Sequence, residues 1–215
     1  MDLNDNKSQD KACSQGGLNQ TLTSKVGRIL QLLAQLGDQI QPTQVITPFH
    51  STMPSNIPVQ AYFLYVSINS GLSDQQAIVN LVLIERICKM ATARGVPIVI
   101  NSLTIHRLIL ASVLITSKFY NDIFYGNHYV AYVGGVQLEE INLLEVEFLN
   151  YIDWCLWVDT PEYELYLNGV HQHFEQIEMQ QQVMQNSLVP QGPQAHCRQE
   201  IDSQSQGAGI VANDI

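Results

Sequence analysis

The stretch "HRLILASVLITSKFYNDIFYGNHYVAYVGG", His106 to Gly135, decides the fold. Between Arg107 and Lys118 run ten residues without a charge, preceded by Asn101 or Ser102 as a helix cap after Pro97. Their apolar positions cover the whole circumference of a helix, and such a helix is enclosed by neighbours on all sides. Ten residues fall well short of the roughly 18–20 that a bilayer span needs, so this is the middle of a globule. After Lys118 the composition changes to Asn, Asp and Tyr, reading as a loop and a short helical turn closed by Gly134 and Gly135. A lone lysine at the end of a core helix therefore needs a partner or a surface.

Working outward, "DQQAIVNLVLIERICKMATAR" behaves in the same way, with Ser73 as its N-cap and apolar residues on nearly every face from Ile78 to Met90. Two all-round helices in succession predict central helices with others wrapped about them. The wrapping helices show single stripes. "TLTSKVGRILQLLAQLGDQIQ" puts Val26, Ile29, Leu30, Leu33, Leu36 and Ile40 at spacings of three and four, weakened by Gly27. A second helix starts near Ile57 or Pro58, carries Tyr62, Phe63, Val66 and Ile68, and stops at Gly71. "VQLEEINLLEVEFLNYIDWCL" buries Leu138, Ile141, Leu144, Phe148, Leu149 and Ile152 and leaves Glu139, Glu140 and Glu147 outside. Thr160-Pro161 opens a last helix through Tyr163, Tyr166, Leu167, Val170, Phe174 and Ile177. No strand run or repeat is seen, so the fold class is all-α, with six or seven helices.

Residues 1–20, polar and aperiodic, are expected to be disordered, and so is the Gln-rich tail 180–215, leaving one domain over 21–179. The hydrophobic share of 46% over 215 residues supplies one core. Ten basic residues against twenty acidic ones, a formal charge of −10, leave no basic stripe, so no nucleic-acid partner is expected. Cys13, Cys88, Cys155 and Cys197 form no CxxC pair and two sit in apolar helical contexts, which suits a reducing compartment. The first residues, "MDLNDNKSQDKACSQGG", lack the basic then apolar character of a signal peptide. A soluble protein of the nucleus or cytoplasm, without membrane partner, is the expectation.

No phosphate loop, HExxH or nucleophile elbow occurs, so no catalytic residue is expected. His171 and His173, two apart on a helix, point to different sides and lack a third ligand, so neither metal nor cofactor is expected. His106 reads as a hydrogen-bonded core or boundary residue. Charges within apolar helices say more, because a buried charge without a partner costs several kcal/mol. Glu85, Arg86, Lys118 and Glu145 are of this kind. Lys118 and Glu145 admit two readings: a lone internal ion pair, or a pair at the edge of an apolar surface that reaches for a partner's main chain.

"TPFHS", "LIERICKMA" and "SLTIHRLILASVLITSKFYNDIFYGNHYVAYVGGVQLEEINLLEVEFLNYIDWCL" together resemble the cyclin box of the P/U-type cyclins, over roughly Ile46 to Val158. The resemblance implies a single cyclin box, about 46–158, of five helices around a central third, with one additional helix on each side. It implies a regulatory subunit, not an enzyme, that binds a cyclin-dependent protein kinase as a heterodimer and repositions its C-helix and activation loop. Within it, Lys118 and Glu145 match the pair that meets the kinase. Leu149 and Trp154 match flanking packing positions, while Phe119 is expected in the core. Asp122, four residues past Lys118 and so expected on the same side, either meets an arginine of the kinase activation region or is an ordinary helix-end or turn aspartate. Where family members pair an arginine with the aspartate of "LDRF", this chain has Tyr65 and Glu85, and a tyrosine hydroxyl bonded to the carboxylate could replace that ion pair. No counterpart of the "MRAIL" docking sequence is present. A helical scaffold without kinase activation and a cyclin-fold transcription factor are the alternatives; the acidic balance and single box count against the second.

Overall fold

The computed structural model describes residues 21–40 and 45–188. Among them are seven helices and no strand: α1 (Leu22–Gly37), α2 (Val59–Asn69), α3 (Gln76–Ala93), α4 (Ile105–Tyr120), α5 (Asn127–Gly134), α6 (Leu138–Tyr151) and α7 (Thr160–Leu188). Every residue from Leu108 to Ser117 of α4 is buried, as is every residue from Ala77 to Ile84 of α3. Helix α4 is the hub that α2, α3, α5 and α6 touch, and α1 lies on α2 and α3. The all-round apolar pattern of α4 thus has the cause expected of it: four neighbours leave no solvent face. Asn80, fully buried on α3, fits because its amide donates to Gln76 O at 2.9 Å and accepts from Ser112 Oγ of α4 at 2.7 Å.

Local chemistry sets the helix ends. Thr21 Oγ1 accepts from Ser24 N at 3.2 Å, and Asp74 reaches across to take Leu22 N at 2.9 Å and Thr23 N at 2.7 Å. Two free N–H groups at the start of α1 are thereby satisfied by a carboxylate from the approach to α3. Ser73 and Gln76 form a reciprocal capping box: Ser73 Oγ accepts from Gln76 N, and Gln76 Oε1 from Ser73 N. Neither Asn101 nor Ser102 caps α4, whose N-cap is Thr104 without a side-chain cap bond; Asn101 Oδ1 instead accepts from Leu103 N and Thr104 N and holds the turn that leads into the helix. The cap of α7 is Asp159, whose Oδ1 accepts from Glu162 N at 2.8 Å, one residue earlier than the Thr160 expected. Gly71 and Gly135 take the left-handed conformation that closes α2 and α5.

Gly27 weakens the α1 pattern for a packing reason. A Cβ there would stand 3.3 Å from the backbone of Gln60 on α2, so its absence lets the two helices approach closely.

The helical reading needs one extension. Helix α7 continues to Leu188, eight residues beyond the expected onset of disorder at 180, because "QQQVMQNSL" contains good helix formers and no breaker before Pro190. The first compact unit of the chain ends at Glu175 and a second begins at Gln176. The expectations for residues 1–20 and 189–215, and for Cys13 and Cys197, lie outside the described residues. No described helix is long and apolar enough to cross a membrane.

Candidate functional site

Lys118 sits in the last turn of α4 and Glu145 in the middle of α6, and the packing of these helices brings Nζ to 2.6 Å from Oε1. The pair is neither sealed nor free: 30% of the lysine side chain and 15% of the glutamate side chain remain exposed. It lies at the boundary of core and solvent. The other carboxylate oxygen is also occupied. Asn127, the first residue of α5, donates from Nδ2 to Glu145 Oε2 at 2.7 Å and to Asn142 Oδ1 at 2.7 Å. Three helices therefore converge on one carboxylate.

Around this point the surface is unusually apolar. The loop 121–126 joins Lys118 to Asn127, both bonded to Glu145, so it is closed at its two ends on the same group. It displays Ile123 at 91% exposure, with Phe124 and Tyr125 about half exposed, and Tyr125 stacks on Tyr129 of α5 at 4.4 Å between ring centres. On α6, Val146 shares a face with Asn142 and is half exposed. Phe119, expected in the core, is 47% exposed. It directly follows the buried face that ends at Ser117, and the helix turn carries it outward.

Two further expectations are corrected. Leu149 is 8% exposed and belongs to the core cluster of Phe148, Leu144 and Ile152, so it has almost no area to offer a partner. Its place on the apolar stripe of α6 outweighs its place beside the pair. The helical register that would set Asp122 above Lys118 stops at Tyr120, because Asn121 is already extended; Asp122 is an exposed loop residue. Trp154, in contrast, is 64% exposed. It ends α6 with φ +58°, following Asp153 at +51°, and its N–H donates to Leu149 O at 2.9 Å. Arg94 holds this turn by pairing with Asp153 and donating to Asn150 O. Trp157 is exposed as well, on a linker that Arg86 fastens through Cys155 O and Trp157 O and through Glu162 at 2.6 Å.

Tyr65 and Glu85 do not meet as a bonded pair. Glu85 Oε2 accepts from Tyr166 of α7 at 2.6 Å and Oε1 pairs with Lys89 at 2.5 Å, while Tyr65 is half exposed. A tyrosine does bond this carboxylate, but it comes 81 residues later in the chain. Burial by itself would raise the Glu85 pKa; the bonds from Lys89 and Tyr166 outweigh it and hold the carboxyl below its usual range. Burial and the same bond push the Tyr166 hydroxyl up to about 12. His106 Nε2 donates to Ile57 O, 2.9 Å away, and the ring lies tilted against Tyr62, in keeping with a boundary residue. Cys88 is partly buried and Cys155 exposed, and burial pushes the Cys88 thiol up to about 12. No cluster of three metal-ligating side chains occurs among the described residues.

A hub helix ringed by four others, carrying a terminal lysine bonded to a glutamate of α6, agrees with a match of the cyclin family model to residues 2–156. The chain belongs to the cyclin family. This cyclin is 31% identical over 138 residues to cyclin-U4-3 of Arabidopsis thaliana, covering 64% of the chain and 61% of that protein. To PHO85 cyclin-6 of Saccharomyces cerevisiae it is 35% identical over 86 residues, 40% of the chain and 20% of the relative. To the Nuc-1 negative regulatory protein preg of Neurospora crassa it is 28% identical over 145 residues, 67% of the chain and 29% of the relative. The chain thus spans less than two thirds of the length of these three relatives. The likenesses to U-type and PHO85 cyclins make it a cyclin of the P/U type.

Proposed function

We propose that this cyclin is a non-catalytic regulatory subunit that binds a cyclin-dependent protein kinase and activates it. The observation that supports this reading is the Lys118–Glu145 pair, mostly buried but open to solvent, with the exposed apolar side chains Phe119, Ile123, Phe124 and Val146 on the same helices and the adjoining loop. A satisfied charge pair amid exposed apolar anchors suits a protein interface better than solvent. Lys118 uses one of its donors on Glu145, and an ammonium carries three, so the others are available to carbonyl groups of a partner. Docking here would press the kinase C-helix inward, letting its glutamate reach the lysine that positions the ATP phosphates, and would order the activation loop. The chemistry belongs to the kinase.

The exposed Trp154 adds a rigid aromatic anchor, and Asp122 a carboxylate for an arginine of the activation region. The relatives named for PHO85 cyclins favour a kinase of that kind as partner. The decisive experiment captures the kinase on the wild-type chain and measures its activity with Lys118→Ala and Glu145→Ala. Weaker binding and loss of activation with both variants support the reading. Full activation by both would leave the scaffold alternative, and binding without activation would separate docking from the switch. Unchanged activation by Asp122→Ala would remove that contact alone.

A further inference from the structure

Asn127 has no place in the pair as the sequence presents it, yet it makes two short polar contacts at the site. Its amide nitrogen carries two hydrogens, and two acceptors stand 2.7 Å away: Asn142 Oδ1 and Glu145 Oε2. Both acceptors lie on one face of α6, three residues apart. The amide is therefore oriented without ambiguity, since turning it over would put its oxygen against a carboxylate. With Lys118 on Oε1 and Asn127 on Oε2, the carboxylate of Glu145 is held from two sides and its plane is fixed.

We propose that Asn127 is a positioning residue of the kinase-binding pair, holding Glu145 so that Lys118 presents its remaining donors outward. The inference rests on the kinase-binding reading above. A carboxylate with one free oxygen could swing and draw both oxygens towards the ammonium, spending donors that a partner's carbonyls would otherwise take. Asn127 prevents this by occupying the second oxygen with a neutral donor. It also ties the start of α5, and hence the closed loop 121–126, to the same carboxylate, so the aromatic surface and the charge pair are set by one group. Preorganisation of this sort lowers the ordering cost of association.

The test is a double-mutant cycle on kinase affinity, using the purified kinase recovered with the wild-type chain. Asn127→Ala is expected to weaken binding roughly tenfold in the Glu145 background and less than about twofold in a Glu145→Ala background. A residue needed only for the fold of α5 would cost the same in both, so equal losses overturn the proposal, as does no loss in either. Melting temperatures are read alongside; if Asn127→Ala melts below the assay temperature, Asn127→Ser, which keeps a polar residue at the first helical position but lacks the amide, takes its place. Should Glu145→Ala itself leave binding unchanged, the kinase-binding reading fails. If Glu145→Ala weakens binding while the cycle is additive, only the role of Asn127 fails.

Discussion

Asp74 illustrates how much a single side chain does at the seam between elements. It accepts from the first two amides of α1 and from Thr23 Oγ1 at 2.7 Å. Burial would raise its pKa, but the bonds from Thr23 and Leu22 outweigh this and lower it. A carboxyl whose folded pKa is depressed stabilises the protein fully above its unfolded value and loses that contribution as pH falls through the folded value. Asp74→Asn should therefore cost about 0.3–1 kcal/mol at neutral pH, the worth of a carboxylate at a helix N-terminus, with a gap in melting temperature that stays constant down to about pH 5 and closes below about pH 4. A gap that does not change with pH would mean that the carboxylate charge is irrelevant. None of this is legible from spacing, because Asp74 and Leu22 are 52 residues apart. The same holds for Glu85, whose tyrosine was sought at position 65 and found at 166. Pattern reading finds that a charge in an apolar helix needs a partner; only the packed helices say which.

At the scale of elements, the helices are legible because burial enforces the period: most residues on each stripe are in or against the core, while Leu36, Ile40 and Ile68, expected on the stripes of α1 and α2, are more than half exposed because they lie at or beyond the helix ends. Leu149 shows the limit of this: it satisfied both the stripe of α6 and a flanking role beside Glu145, and burial took it. The end of α6 is not marked by a glycine or proline: two left-handed residues other than glycine, Asp153 and Trp154, follow its C-cap Ile152. A stop of that kind costs of order 1–3 kcal/mol and carries no sequence signature. Glycines at helical positions allow a paired prediction. A Cβ on Gly37 would fall 1.8 Å from Ile100 O, a backbone atom that cannot move aside without shifting its segment, whereas one on Gly169 of α7 would touch nothing within 4 Å. Gly37→Ala should lower stability by roughly 1–3 kcal/mol. Gly169→Ala should raise it by about 0.5–1 kcal/mol through reduced freedom of the unfolded chain. Chemical denaturation of the two variants checks the signs, and two changes of the same sign would contradict the packing of α1 against the segment before α4.

For the molecule as a whole, the central consequence is that stability and binding occupy different atoms. The all-α class and the hub position of α4 followed from two helices without a polar face, a property of the whole chain that a sequence carries openly. The proposed interface is less legible, since it would consist of side chains left over after the core is filled: Phe119 follows an apolar run yet is half exposed, and Asn127 carries no signal in its spacing. This separation can be tested with one core and one surface substitution. Phe148 is fully buried in the cluster of α3, α4 and α6, so Phe148→Ala should cost about 3–5 kcal/mol of stability. Ile123 is 91% exposed, so Ile123→Asp removes almost no burial from the free chain and should shift its melting temperature by no more than about 1–2 °C, in line with the small effect of most surface changes. On binding, an apolar anchor of this size is worth about 1.5–3 kcal/mol when covered, and a carboxylate in its place must also lose its water. Kinase affinity of Ile123→Asp should accordingly fall at least about tenfold, read by titration against the same kinase used for the Lys118 variants. An Ile123→Asp chain that binds as tightly as wild type would move the docking surface off the loop between α4 and α5, and one that melts early would show that the loop belongs to the core.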